Sequence, residues 1–376
     1  MLYGLALNTK HNAWILPAAF GLHALSRLIP ARGERLRRAQ AFALIPVTLM
    51  LLLGPLLFYA TWPWIWRDTY QRLGEYVKFH TQHVYYNMEF LGRTYFEPPF
   101  PRSYAPVMTL ATVPSITLLL SAVGILVWLG RSRIAARFRA RREPADAGAG
   151  LPSSHGVHLL WLLCVITSYG PWLSSDTPIF GGTKHWMPAY PYLALFAGQG
   201  FSWVRGLLGE AAFAAGRQRQ TVLGWALGVC VVAAPLVMTA HSHPFGLSAY
   251  TPLVGGAPGA ATLGLNRTFW GYTTGSVVDF LNASAAPKAR VFLHDTTLDS
   301  FRILQKDRRL RRDLEPWWTV AGSQLALYHH EQHMSRVEHM IWVDYGTTAP
   351  ARVAAFDGVP VVWVYARGQR PAEPAQ

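Results

Sequence analysis

Residues 105–142 read APVMTLATVPSITLLLSAVGILVWLGRSRIAARFRARR and decide the fold class. The part from 105 to 130 has no charged residue and is long enough for a membrane helix, which needs roughly 20 apolar residues. Six arginines then crowd the stretch after Trp128, namely Arg131, Arg133, Arg137, Arg139, Arg141 and Arg142. Arginines at one end of an apolar run mark the cytoplasmic side of a membrane protein. The stretch therefore predicts a membrane span that ends inside.

Two more arginine clusters occupy alternate gaps between apolar runs: Arg27, Arg32, Arg35, Arg37, Arg38, and then Arg205, Arg217, Arg219. This alternation is typical of a protein that crosses the membrane several times. It predicts about six spans, at 4–29, 40–62, 105–130, 155–173, 186–204 and 221–240. With the arginines inside, the N-terminus, segments 63–104 and 174–185, and everything after about 241 face outward.

Composition supports a membrane protein and argues against nucleic-acid binding. The 376 residues are 51% hydrophobic and 14% charged, whereas a soluble domain carries about 25% charged residues. The net charge of +14 is concentrated in the arginine gaps and leaves no general basic surface. Both cysteines, Cys164 and Cys230, lie in apolar runs, so neither a disulfide framework nor a CxxC metal motif is expected.

The chain changes character after about residue 242. Charge rises, and short apolar strands alternate with helical patterns, which is typical of an α/β domain. We expect strands at 289–294 and 359–365, helices at 298–310 and 324–340, and the start of another strand at 340–343. The predicted organisation is a transmembrane domain, 1–242, followed by an extracytoplasmic α/β domain, 243–376.

The outward loop 63–104 is rich in aromatic residues, and loops of this length are often functional. Its cations and histidines, His80, His83, Arg93 and Arg102, are candidates for lining a cavity. Helical spacing over 69–92 predicts a helix lying on the membrane surface. The alternative is a structural cap that its tryptophans and tyrosines anchor at the interface.

Two polar clusters at the outer ends of spans are candidate phosphate sites. The segment GGTKHWMP at 181–188 places Lys184 and His185 after two glycines, which let backbone approach a ligand closely. The segment NTKHN at 8–12 places Lys10 inside an apolar run, where ionisable residues are costly and usually functional. Snorkelling of these side chains to the interface is the alternative for both.

The run HHEQH at 329–333 does not fit a zinc-protease motif. That motif is H-E-x-x-H, with the glutamate directly after the first histidine, whereas Glu331 follows His329 by two positions. We therefore expect a solvated helix face here and no metal site.

Several segments together resemble membrane-embedded glycosyltransferases of the GT-C class, a family 39-like group that includes protein O-mannosyltransferases and lipid A aminoarabinose transferases. They are GLALNTKHNAWILP at 4–17, FHTQHVYY at 79–86 with EPPFPRSY at 97–104, GGTKHWMPAYPYLALFAG at 181–198 and HPFGLSAYTPLVGG at 243–256. The resemblance spans most of the chain, and Trp270-Gly271-Tyr272 adds to it.

The resemblance implies transfer of a sugar from a polyprenyl-phosphate-linked donor to an acceptor at the outer face of the inner membrane. It implies that Lys10, Lys184 and His185 contact the donor phosphate, that loop 63–104 helps form the cavity, and that no cofactor is required, with a divalent metal ion left open. The catalytic carboxylate of the family follows its first span, which suggests that this chain lacks the N-terminal part. Asp68 and Glu89 are weak substitutes for that base. The alternatives are a non-catalytic membrane scaffold, or a lipid or solute transporter, with an outward domain that binds a partner.

Overall fold

A computed structural model describes residues 1–29, 34–82, 84–139, 154–179, 181–211, 217–294 and 297–368. The described chain is mostly helical and has a small sheet near its C-terminus. It divides into two compact units. Unit 1 contains 1–86, 98–109 and 113–235, and unit 2 contains 87–97, 110–112 and 236–376.

Nine helices run through the part of the chain described up to residue 242: α1 (Leu2–Thr9), α2 (Leu16–Leu28), α3 (Glu34–Thr61), α4 (Thr69–Thr81), α5 (Tyr104–Thr112), α6 (Ser115–Arg139), α7 (Ser154–Tyr169), α8 (Tyr190–Ala211) and α9 (Arg217–Ser242). Single turns of 3-10 helix connect several of them. Three of the fourteen arginines in the predicted cytoplasmic gaps, Arg32, Arg141 and Arg142, lie outside the described residues.

Three described helical segments are long and apolar enough to cross a membrane: Leu44–Thr61, Gly156–Leu173 and Thr221–Ser242. The best apolar window of the last segment has 0% of its residues buried, as expected for a helix whose partner is lipid. A fourth candidate consists of α5 and α6, which are bent by 118° at a short break that contains Pro114. Proline prevents a continuous helix there because it removes a backbone donor and clashes with the preceding turn. Six spans therefore stay a prediction.

The predicted first span, 4–29, is broken in the structure. Helix α1 ends at Thr9, Lys10 adopts an extended conformation, and α2 begins only at Leu16 after a turn of 3-10 helix. Glycines let α1 lie closely on α3, because a Cβ on Gly4 would stand 2.8 Å from the carbonyl oxygen of Gly54. The break places Lys10 and the side-chain amides of Asn8 and Asn12 where the backbone hydrogen bonds of the helix are interrupted.

Helices α6 and α8 pack through small residues. A Cβ on Gly124 would lie 2.0 Å from the carbonyl oxygen of Phe196, and one on Gly200 would lie 2.0 Å from that of Leu120. Ser121 donates a hydrogen bond to the carbonyl of Leu193 at 2.6 Å. Close backbone approach through glycine and serine is typical of helix pairs in membranes. These residues fix the start of α8, which follows the predicted phosphate segment.

Unit 2 contains a five-stranded sheet in the order β4-β3-β5-β7-β6, with β3 (Arg290–Phe292), β4 (Glu315–Trp317), β5 (Leu325–Tyr328), β6 (Arg352–Phe356) and β7 (Val359–Ala366). Strand β3 is parallel to β4 and β5, and β7 is antiparallel to β5 and β6. Its helices are α10 (Gly256–Thr262), α11 (Val278–Ser284), α12 (Thr297–Lys306) and α13 (Ser335–Tyr345).

Both faces of the sheet are buried. On one face Val291, Leu327 and Val364 pack with α11 and α12 residues such as Leu281 and Phe301. On the other face, strand residues that alternate with them pack against Ile341 and Tyr345 of α13: Phe292, Ala326, Tyr328 and Tyr365. Strands covered on both faces have continuous apolar sequences, which is why β3 and β7 were predictable.

Loop 63–104 also contributes a short antiparallel hairpin to unit 2, formed by β1 (Met88–Phe90) and β2 (Arg93–Tyr95). The amide of Gly92 at its tip donates to the carbonyl of Gly264 at 3.0 Å. Gly264 has φ +71, and a Cβ there would stand 2.2 Å from the Gly92 nitrogen. The hairpin is thus joined closely to the chain that follows α10.

Two predicted helices differ from the structure. The expected helix at 69–92 ends at Thr81, since the residues after it form the β1–β2 hairpin. The expected helix at 324–340 was wrong, because 325–328 is the central strand β5 and the helix begins only at Ser335. The expected strand at 340–343 is the middle of α13. Strands buried on both faces cannot be distinguished from buried helix by apolar content alone. The division of the chain at 242/243 stays a prediction.

Candidate functional sites

Lys10 and Lys184, separated by 174 residues in sequence, come together in unit 1. The Nζ of Lys10 donates a hydrogen bond to the backbone carbonyl of Lys184. Both side chains are half-buried. Lys10 can reach this carbonyl because the break after α1 turns the side chain out of the helix. The structure therefore brings together two of the three predicted phosphate ligands.

A second contact fixes the same pair of segments. The side-chain amide of Asn12 donates to the backbone carbonyl of His185. The His185 ring is buried and lies 4.5 Å from the ring of Trp172, centroid to centroid. Gly181 and Gly182 have positive φ angles of 69° and 71°, which only glycine adopts without strain. This turn directs residues 182–185 toward the N-terminal break.

The electrostatics of this lysine pair favour an anion. Burial lowers the pKa of Lys184, and the neighbouring charge of Lys10 lowers it further. Two like charges in a partly desolvated place repel each other, and a bound anion relieves that repulsion. The lysines thus form a candidate anion site, the Lys10–Lys184 pair.

The described cavity residues are divided between the two units. His80 lies on α4 in unit 1, with its ring 4.7 Å from Tyr76 and 5.7 Å from Trp14. Arg102 is exposed, also in unit 1. Arg93 is exposed on β2 in unit 2, over the ring of Tyr95 at 5.8 Å. His83 lies outside the described residues. The aromatic contacts of His80 are those of a packed structural histidine.

The two weak candidates for the catalytic base have opposite environments. Asp68 begins α4 with φ 51, and its side chain is 70% exposed, 4.0 Å from Arg72. Glu89 lies in β1 with a side chain only 6% exposed. An exposed carboxylate beside an arginine is an ordinary surface pair. A buried carboxylate requires partners, and the partners of Glu89 were not foreseen.

Glu89 belongs to a compact cluster with Glu331 and His333, which we call the Glu–Glu–His cluster. The Oε1 of Glu89 lies 3.0 Å from the Nδ1 of His333 and accepts the backbone N–H of His333 at 3.1 Å. That Nδ1 lies 3.7 Å from the Oε2 of Glu331. One side-chain oxygen or nitrogen of each residue lies within 4.8 Å of the others. The prediction of a solvated helix face at residues 329–333 is therefore wrong.

Two further histidines, His329 and His294, are buried beside this cluster. His329 is 1% exposed, and its backbone N–H donates to the Nε2 of His294 at 3.0 Å. Burial lowers the pKa of His294 to about 4, with a smaller effect from His333. Burial, with a smaller effect from His294, lowers the pKa of His329 to about 3. These imidazoles are therefore neutral at pH 7 and act as hydrogen-bonding or metal-binding groups rather than as cations.

Sequence reasoning missed this cluster because Glu89 lies 244 residues before His333. A visible signal was the density of histidine and glutamate at 329–333. The H-E-x-x-H spacing applies only to histidines on a helix. Here residues 325–328 form a strand and residues 332–334 form a 3-10 turn. An extended segment has different neighbours, so the failed zincin spacing excluded only a helical site.

Comparisons with protein-family models, curated proteins and solved structures give no match to this chain. The candidate sites therefore rest on their own geometry.

Proposed function

We propose that this chain is a GT-C-like membrane glycosyltransferase that transfers a sugar from a polyprenyl-phosphate-linked donor to an acceptor at the outer face of the membrane. In this proposal the chain has about six spans in the inner membrane, and its C-terminal α/β domain is outside the cytoplasm. The observation that carries it is the Lys10–Lys184 pair.

The support from the lysines is chemical. A polyprenyl phosphate that leaves a sugar acquires negative charge as the bond between the sugar carbon and the phosphate oxygen breaks. Positive groups already in place stabilise that charge without reorganising. The Nζ of Lys10 is held by its hydrogen bond to the backbone carbonyl of Lys184, and both lysine side chains are half-buried, which suits this need. The role assigned to His185 is weaker, because its ring is buried against Trp172.

The hydrophobic surroundings support a lipid-linked ligand over a soluble phosphate. Around the break after α1 lie many exposed apolar side chains, including Leu2, Leu5 and Trp14. An apolar surface beside a cation pair fits an amphipathic ligand with a phosphate head and a hydrocarbon tail. A soluble sugar phosphate would make no use of that surface.

The test is binding of a polyprenyl phosphate to the chain in nanodiscs, with the corresponding uncharged polyprenol as the matched ligand. We expect Lys184→Ala to weaken binding of the phosphate about tenfold, which is typical of losing one charge-assisted contact. Binding of the polyprenol should not change. Lys78→Ala is the control, since Lys78 is an exposed lysine on α4.

Transfer is measured in the same membranes with a radiolabelled polyprenyl-phosphate sugar. Transfer that falls with Lys184→Ala and Lys10→Ala, but not with Lys78→Ala, supports the enzyme. Equal binding of phosphate and polyprenol by the wild-type chain would overturn the phosphate role of the lysine pair. Phosphate-dependent binding with no transfer to any acceptor would favour a lipid-handling protein.

A further inference from the structure

The phosphate-binding role proposed for the Lys10–Lys184 pair does not involve the Glu–Glu–His cluster, whose chemistry is different. It combines two carboxylates and one imidazole in unit 2, with side-chain exposures of 6% for Glu89, 11% for Glu331 and 15% for His333. Two carboxylates held side by side away from water repel each other. A divalent cation neutralises both.

We propose that Glu89, Glu331 and His333 form a binding site for a divalent transition-metal ion, with Zn²⁺ the best fit. The proposal is independent of the sugar-transfer reaction.

The distances fit a single ion. Two ligands of a tetrahedral Zn²⁺ at about 2.1 Å lie about 3.4 Å apart. The Nδ1 of His333 is 3.0 Å from Glu89 Oε1 and 3.7 Å from Glu331 Oε2. Side-chain movements of a few tenths of an ångström bring both nitrogen–oxygen separations to that ligand–ligand distance. The imidazole makes Ca²⁺ and Mg²⁺ poor fits, because both prefer oxygen ligands.

A separate observation in the same place points to a ligand. Tyr328 is fully buried, and its hydroxyl has no hydrogen-bond partner among the described residues. Burial raises its pKa, and nearby carboxylates, Glu338 first and then Glu89 and Glu331, raise it further. The carboxylates of the cluster are thus among the charges that act on this hydroxyl, and it is unsatisfied among the described residues. A buried hydroxyl left without a partner is destabilising, and a metal-bound water is a suitable partner.

His294 gives a second unsatisfied group beside the cluster. Its Nε2 accepts the backbone N–H of His329, so the neutral ring carries its proton on Nδ1. That Nδ1 is buried and has no partner in the part of the chain that the structure describes. Donors of this kind commonly orient metal-bound water or carboxylate ligands.

The site would join the β1–β2 hairpin to the segment after β5. Besides the cluster itself, Gln332 donates to the carbonyl of Gly92 at 2.6 Å, and Asn87 donates to Glu331 at 3.3 Å. These bonds hold the two segments in register, so that an ion between them needs little rearrangement. The hairpin should then be more firmly attached with metal than without it.

The first experiment measures Zn²⁺ bound to the tag-free full-length chain in nanodiscs by equilibrium dialysis with elemental analysis. We expect one Zn²⁺ per chain, with affinity at least about tenfold lower in Glu89→Gln, Glu331→Gln and His333→Asn. His339→Asn and Asp299→Asn are the controls, since both residues are exposed in unit 2. Absence of stoichiometric binding, or equal loss in the controls, would overturn the site.

Two measurements on the wild-type chain keep the test valid where a variant fails to fold. Co²⁺ should give visible absorption bands of a low-symmetry nitrogen and oxygen site, and Zn²⁺ should abolish them. Trypsin should cleave after the exposed Arg93 more slowly with Zn²⁺ than with a chelator. A Co²⁺ spectrum of a hexa-aqua ion, or cleavage at Arg93 that Zn²⁺ does not change, would contradict the proposal.

Discussion

Unit 1 and unit 2 bury opposite kinds of polar group by opposite means. Unit 1 brings two cations, Lys10 and Lys184, to a break in a helix. Unit 2 encloses two carboxylates and an imidazole between a hairpin and a strand end, Glu89, Glu331 and His333. The first arrangement suits an anionic ligand and the second a cation. Neither the net charge of the whole chain nor that of a loop therefore predicts which ion a local site binds.

The two units also differ in what holds them together. In unit 1, helices approach through glycine, and apolar side chains remain on the outside. In unit 2, a sheet is covered on both faces and apolar side chains are inside. Hydrophobic burial therefore accounts for the cohesion of unit 2, whereas close backbone packing must contribute more in unit 1.

The largest expected effect breaks the packing of unit 1. Gly200→Ala places a methyl group 2.0 Å from the carbonyl oxygen of Leu120, so α6 and α8 must move apart. Overpacking of this kind costs about 3 kcal/mol. The measurement is the yield of monodisperse protein after detergent extraction and its melting temperature, and both should fall clearly.

Gly198→Ala is the matched control, two residues earlier on α8. Nothing lies within 4 Å of a Cβ at this position, and alanine favours helix over glycine by about 0.5–1 kcal/mol. Its yield should equal or exceed that of the wild type. Equal losses in the two variants would show that α6 and α8 are not packed through Gly200.

A smaller effect is expected from acid, which should lower the stability of unit 2 but not that of unit 1. The pKa of His294 is about 4 in the folded protein and about 6.5 in an unfolded chain, so the unfolded state binds the extra proton first. Stability is then fully present above about pH 6.5 and is lost as pH falls toward about 4, by at most about 3 kcal/mol. Protonation of Nε2 also breaks its bond to the N–H of His329.

Hydrogen exchange, corrected for the intrinsic pH dependence and run with a chelator, gives the measurement. Amides of β3 and β5 should lose protection between pH 6.5 and 4, and those of α6 should not. His294→Gln keeps an acceptor but cannot titrate, so it should make the loss of protection less steep, whereas the loss due to His329, whose pKa burial lowers to about 3, should remain. His339→Asn, on an exposed histidine, should leave it unchanged. A profile that His294→Gln does not alter would assign the acid effect to other groups.

The parts of the fold that could be predicted are those in which a pattern repeats locally. The apolar runs indicated the three candidate spans, and continuous apolar sequence indicated β3 and β7. Strand β5 was missed because four apolar residues, Leu325–Tyr328, suit a helix as well as a strand. Lys10 was identified as a candidate phosphate ligand, but the helix break at Lys10 was not predicted. A polar residue in an apolar run does not by itself interrupt a helix.

The sites follow the same division. The two lysines of the Lys10–Lys184 pair were predictable as candidates because each lies in a short polar cluster beside an apolar run. The Glu–Glu–His cluster was not, because it depends on how a hairpin from loop 63–104 pairs with residues 331–333. Such a contact is long-range, and no local periodicity encodes it.

The smallest expected effects compare one hydrogen-bonding hydroxyl group in each unit. In unit 1 the hydroxyl of Thr109 accepts the Nε1–H of Trp186 at 3.0 Å and lies 2.6 Å from the hydroxyl of Tyr169. In unit 2 the hydroxyl of Tyr365 donates to Glu338 at 2.8 Å. Thr109→Val leaves two buried groups without a partner, and we expect a loss of about 2 kcal/mol. Tyr365→Phe leaves only a partly exposed carboxylate, which water can solvate, so about 1 kcal/mol is expected.

Melting temperatures of both variants in one detergent give the comparison directly. A larger loss for Thr109→Val follows if the number of groups left unsatisfied decides the cost. A larger loss for Tyr365→Phe would mean that the helical unit replaces lost hydrogen bonds readily, as happens when neighbouring polar groups in a membrane exchange partners. In that case the close glycine contacts of α6 and α8, and not buried polar bonds, would be what distinguishes the stability of unit 1 from that of unit 2.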